Sequence, residues 1–217
     1  MTQDYGMDSF KLGEPALVCR WRLAAGKLPL EGRHLRALGS RTVNGGRVGQ
    51  PIVAWAQQHI EWTLEGGSEE HPNGVLMLVI DVDGQAAMTV GPFVPLEKTD
   101  LLDLLDRSEQ AHAEAANTGV APESLWLVQD GTLVWDDEPA TTASGSASLV
   151  EGLAHTLGIP VRRNAALRKQ VKDGSIAFDE AFLVSDEYGV VPAQDRNGDM
   201  ARRFSEGYER LLAKMRS

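Results

Sequence analysis

The chain has 217 residues, 31 of them Asp or Glu against 21 Lys and Arg, for a formal charge of −10. The length allows one large domain or two small ones. The charge argues against a nucleic-acid or anionic-membrane surface, which needs clustered Lys and Arg, but not against a small anionic ligand held at a helix N-terminus. Cys19 is the single cysteine, so no intrachain disulfide forms and a reducing cytoplasm is the expected location. The first residues show no basic region followed by an apolar run, so no signal peptide is expected. The longest apolar run, 75–80, is far too short to span a membrane.

Residues 16–23 alternate Cys19, Trp21 and Leu23 on one face and predict a strand, with Cys19 as a buried structural thiol. A short helix is expected around 33–40, ended by Asn44-Gly45-Gly46. A second spans 51–65, with Pro51 in its first turn and Ile52, Trp55, His59 and Ile60 on one stripe. Val75 to Val82 and Gln85 to Val90 then form a hairpin about Asp83-Gly84.

Gly91, Pro92 and Pro95 break the chain, and a boundary near 92–98 would divide it into a small lobe, 1–94, and a larger one, 95–217. A helix is expected over 100–117, with Leu101, Leu104, Leu105, Ala111 and Ala115 in a stripe. A hairpin turning at Gln129-Asp130-Gly131 follows, then a loop over 136–148 rich in Thr, Ser, Ala and Gly.

The helix expected over 147–157 carries Leu149, Leu153 and Leu157 and stops at Gly158-Ile159-Pro160. A short strand and a basic helix over 164–172 come next. Then comes a strand over Glu180–Ala193, an apolar run into a short polar loop at Ser185-Asp186-Glu187 and then Gly189-Val190-Val191-Pro192. The final amphipathic helix, 201–216, places Phe204, Tyr208, Leu211, Leu212 and Met215 on its buried side. Mixed helices and antiparallel hairpins make the fold class α+β.

The five histidines are scattered, so no metal is assigned. Asp81–Gly84 and Asp195–Asp199 look like calcium loops but lack the ligand spacing and read as tight turns. No Gly-x-Ser-x-Gly elbow and no Walker loop occurs. Lys98 lies between a proline-rich segment and an amphipathic helix. A lysine held there and partly desolvated could form a Schiff base.

These segments together resemble the class IV pyridoxal-phosphate enzymes, the branched-chain and D-amino-acid aminotransferases and aminodeoxychorismate lyase. The resemblance runs through Lys98 and the Ala-rich helix ending at Gly119, the hairpin Leu125–Leu133, the helix ending in Leu157-Gly-Ile-Pro-Val161, and Phe182-Leu183 with Gly189-Val-Val-Pro192. It implies a two-lobed class IV aminotransferase-like fold, pyridoxal 5'-phosphate as cofactor, an amino-acid-like or amino-chorismate substrate and a homodimer. Lys98 would form the Schiff base. Arg36, Ser146 and Ser185 would hold the phosphate, and Asp136 would face the pyridine nitrogen. The short chain favours a lyase over an aminotransferase.

The site motifs depart from the family pattern. Arg36 matches the phosphate arginine when Ser40 sets the register, which leaves His34 one place off. The acidic place falls near Glu123 in one alignment and on Trp135, beside Asp136, in another. Ser185-Asp186-Glu187 puts carboxylates where a dianionic phosphate would rest. The resemblance therefore supports two readings, a cofactor-dependent lyase or aminotransferase and a non-catalytic descendant acting as a binding or interaction module.

Overall fold

The computed structural model describes residues 11–138 and 141–215. Ten strands and six α-helices follow one another among the described residues. The N-terminal part comprises β1 (Pro15–Arg22), α1 (Glu31–Leu38), the short strands β2 (Thr42–Val43) and β3 (Gly46–Arg47), α2 (Gln50–Gly67), β4 (Val75–Asp81) and β5 (Ala86–Gly91). After it come α3 (Leu101–Thr118), β6 (Glu123–Gln129), β7 (Thr132–Trp135), α4 (Gly145–Thr156), β8 (Val161–Arg163), α5 (Leu167–Lys172), β9 (Glu180–Ser185), β10 (Gly189–Pro192) and α6 (Asp199–Met215).

The first sheet is antiparallel with order β1-β4-β5. Leu17, Cys19 and Trp21 of β1 and Leu76, Leu78 and Ile80 of β4 share one face by the two-residue pleat. That face packs on Leu35 and Leu38 of α1 and Ala56, Ile60 and Leu64 of α2. The Cys19 thiol is buried there, which pushes its pKa up to about 11, as an inert packing group requires. Asn44-Gly45 is more than a helix terminator: both residues have positive φ and turn the β2–β3 hairpin.

The second sheet has order β10-β9-β6-β7-β8, antiparallel except for the β7–β8 pair. Both faces are covered, so β6 and β9 are apolar without alternation. On one face Trp126, Trp135, Phe182 and Val184 meet α4 and α6; on the other Leu125, Leu127, Val134 and Leu183 meet α3 and α5. Trp126 stacks on Trp135 at 4.8 Å, and Phe182 bridges Trp126 to Phe204 at 6.0 Å on each side.

The apolar segment before α3 forms no strand. It is tethered at its end, where Gln194 N–H donates to the Thr99 carbonyl, and Asp195 accepts from the Leu101 N–H at 2.8 Å to cap α3. The expected 180–193 strand is two strands, with Ser185 Oγ accepting from the N–H groups of Glu187 and Tyr188 at the turn. The Asp81 carboxylate accepts from the N–H groups of Gly13, Asp83 and Gln85, which makes it a turn-forming group.

Candidate functional site

The two sheets meet at the N-terminus of α4. Ser144 caps that helix by accepting from the Ala147 N–H at 3.2 Å. The next free amide, Ser146 N–H, donates at 2.8 Å to Asp186 Oδ1. Asp186 extends β9, and the pleat places it with Phe182 and Val184 on the α4 face. Its backbone carbonyl accepts from Arg22 N–H at the end of β1.

Helix α1 closes the junction from the side of the first sheet. His34 Nδ1 lies 3.7 Å from Asp186 Oδ1, its ring stacked on Trp21 at 5.3 Å. The ring sits where a Cβ on Gly145 would be, so glycine is required for this approach. Arg33 donates to the Ser148 carbonyl at 2.9 Å and to its hydroxyl at 3.1 Å. Burial alone would raise the Asp186 pKa, but His34, the Ser146 amide and Arg41 outweigh it and hold the carboxyl below its ordinary value. Ser146 Oγ and Asp186 Oδ2 are buried without a hydrogen-bond partner.

This geometry decides whether a pyridoxal phosphate fits. A helix N-terminus is the natural seat for its phosphate. Here Asp186, ionised and fully buried, already takes the α4 amide. A phosphate dianion brought there would meet a desolvated carboxylate, and the repulsion is large at low dielectric. The α4 face of the sheet is filled as well, because Trp135 turns its indole to it and stacks with Trp126. The residues present do not fit the group.

The five expected site residues do not converge. Ser146 is in the junction. Arg36 lies on the exposed face of α1, one position round from the buried His34 and Ala37. Lys98 is exposed. Ser185 points to the α3 face, the opposite side from Asp186, and donates to Glu123 Oε1 at 2.9 Å. Asp136 also faces α3. It bonds Ser108, lies 3.4 Å from Arg168 and 4.0 Å from His112, and burial raises its pKa to about 6 despite these neighbours.

Beyond Ser185 the space between the two sheets is closed by a run of packed rings and charges. Arg22 lies over the Phe93 ring at 3.2 Å, Phe93 contacts Tyr188 at 5.9 Å, and Arg107 covers Tyr188 at 4.6 Å while donating to Glu123 at 2.7 Å. The space left, about 180 Å³, is lined by Arg20, Arg107, Glu114, Glu123, Ser185 and Glu187. His34 and Trp135 are the members of the α4 face that residue patterns alone did not place there. The alternation Phe182, Val184, Asp186 carried the signal for the third.

No protein-family model matches the sequence, and no curated protein matches it. Solved structures do share the fold. A candidate 4-amino-4-deoxychorismate lyase from Legionella pneumophila is 11% identical, with TM-score 0.59 over 97% of this chain and 98% of its own. The branched-chain amino acid aminotransferase of Escherichia coli is 12% identical, with TM-score 0.53 over 91% and 85%. An aminotransferase from Brucella abortus, bound to its cofactor pyridoxal phosphate, is 14% identical, with TM-score 0.54 over 95% of both chains. The chain therefore has a mixed α and β, class IV aminotransferase-like fold. Among the described residues no helix is long and apolar enough to cross a membrane, and no group of three or more His, Cys, Asp or Glu is arranged to hold a metal.

Proposed function

We propose that this protein is a non-catalytic form of the class IV fold that serves as a binding or interaction module. One observation carries this reading: the Asp186 carboxylate occupies the α4 N-terminus on which a cofactor phosphate would have to sit. The exposure of Lys98 supports it, since a Schiff-base lysine works from a desolvated position. A reducing cytoplasm, from the single cysteine, and a homodimer, by analogy with the fold, are parts of the same proposal.

The competing reading is a pyridoxal-phosphate lyase or aminotransferase acting on an amino-acid or aminodeoxychorismate substrate through Lys98. Its support is the fold, together with the position of Lys98 just ahead of α3. Incubation with pyridoxal phosphate, followed by borohydride and peptide mapping, separates the two. The non-catalytic form stays without a visible absorbance band and without label on Lys98. A saturable band with label confined to Lys98 would establish the enzyme instead.

A further inference from the structure

Leu149, Leu153 and Leu157 recur at every fourth position of α4 and its C-cap, a spacing that predicts a buried stripe. The fold leaves this stripe partly uncovered, with Leu157 37% exposed. It forms one wall of a groove of about 420 Å³ between α4 and α6. The floor is made by Val150, Phe204 and Tyr208, and by Val190 of β10. The groove thus passes between the two helices down to the sheet.

Its charge opposes that of the whole molecule. In a chain of net charge −10, the charged groups lining this groove are Arg203, Arg210 and Lys214, and no Asp or Glu lines it. The three cations share a stripe of α6 with Gly207. Glycine is a poor choice for a helix interior, and at this position its missing side chain widens the groove. Arg210 pairs with Glu206 at 3.5 Å, but both side chains are about two-thirds exposed, so the pair exchanges readily for a ligand.

We propose that this groove binds a free long-chain carboxylate, a fatty acid. The tail runs along Leu149, Leu153 and Leu157, and the positive field of Arg203, Arg210 and Lys214 favours an anionic head group. Depth selects a hydrocarbon chain over a docked helix. A helix about 10 Å across rides on top of two others and does not reach a strand beneath them, whereas an alkyl chain does. Neither Asp186, Ser146, His34 nor Lys98 lines this groove, and the inference stands whether or not the protein is catalytic.

The test is calorimetric titration with octanoate, decanoate and dodecanoate below their micelle concentrations, with dodecyltrimethylammonium as the cationic control. We expect one site per chain and a rise in affinity of about fourfold per added methylene. The cationic amphiphile should bind about tenfold more weakly. Gly207→Leu should fill the groove and lower dodecanoate affinity about tenfold or more. A Cβ at that position meets Leu153 at 3.6 Å, an ordinary contact, so the variant folds, which circular dichroism verifies. Arg203→Gln with Arg210→Gln should weaken the preference for the anionic head and leave chain-length dependence intact. The proposal is overturned by affinity independent of chain length, by equal binding of the cationic amphiphile, or by indifference to Gly207→Leu. Recruitment to anionic vesicles or to an acidic amphipathic peptide without dodecanoate binding also overturns it, as does a dimer lost in Gly207→Leu without such binding.

Discussion

Asp186 Oδ1 accepts the backbone N–H of Ser146 at 2.8 Å, and through that bond a residue just past β9 caps the first turn of α4, 40 positions earlier in the chain. The cap lies between the two sheets, with α1 bringing His34 to the same oxygen. A carboxylate of the chain thus supplies the negative charge that a helix N-terminus favours.

Removing that carboxylate should reopen the anion seat. Asp186→Ser should cost about 1–3 kcal/mol, because the buried α4 amide loses its charged acceptor. Inorganic phosphate should then raise the melting temperature of the variant by mass action and leave the wild type unmoved. An equal phosphate response in both proteins, followed by thermal shift, would mean that Asp186 does not close the seat.

The same residue sets an acid limit. Its folded pKa is held below the ordinary value, so its contribution is complete above the unfolded carboxylate pKa and is lost as pH falls through the folded one. Urea unfolding followed downward from pH 5 should show a steeper loss in the wild type than in Asp186→Ser.

Asp136 behaves in the opposite sense. Burial raises its folded pKa to about 6, well above the ordinary value of an Asp carboxyl, so the folded state binds this proton more tightly. The stability it supplies is complete below the unfolded value and disappears as pH rises through about 6, a change of about 3 kcal/mol. His112, Arg168 and Ser108 face it and already moderate the shift. Asp136→Asn should flatten the wild-type decline between pH 4 and pH 7 in denaturant titrations; an unaltered slope would place the titration on another group.

Two glycines of like backbone separate strain from collision. Gly131 and Gly189 both have φ near +75°, but a Cβ at Gly131 meets open space, whereas one at Gly189 would overlap the Tyr208 ring. Gly131→Ala should cost about 1–2 kcal/mol from the left-handed backbone alone. Gly189→Ala should cost about 1–3 kcal/mol more, as β10 and α6 are pushed apart. Chemical denaturation of both variants measures the difference.

Much of the fold was legible in the residues. The Asp83-Gly84 and Asp130-Gly131 hairpins and the helices over 50–67, 101–118 and 199–215 follow from turn chemistry and apolar period, which act over a few residues. The candidate site was legible only in part. The carboxylates of Ser185-Asp186-Glu187 were visible as a conflict with phosphate, but not which of them would face α4. Lys98 was read from its place ahead of a helix, and nothing local reports that its side chain lies at the surface.

The sequence by itself determined the order and kind of the elements, the negative charge and the class IV-like punctuation, because propensity, capping and pleat are local properties. Tertiary structure alone decided what those elements bring together. The parity of β9 turns Asp186 toward α4 and Ser185 away from it, and the parity of β7 does the same for Trp135 and Asp136. The docking of α1 on Gly145 chooses His34 over Arg36. A shift of one residue in a strand, or of 100° on a helix, exchanges a buried partner for a solvated one. Those choices are made by packing across the sheets, which no short window of sequence contains.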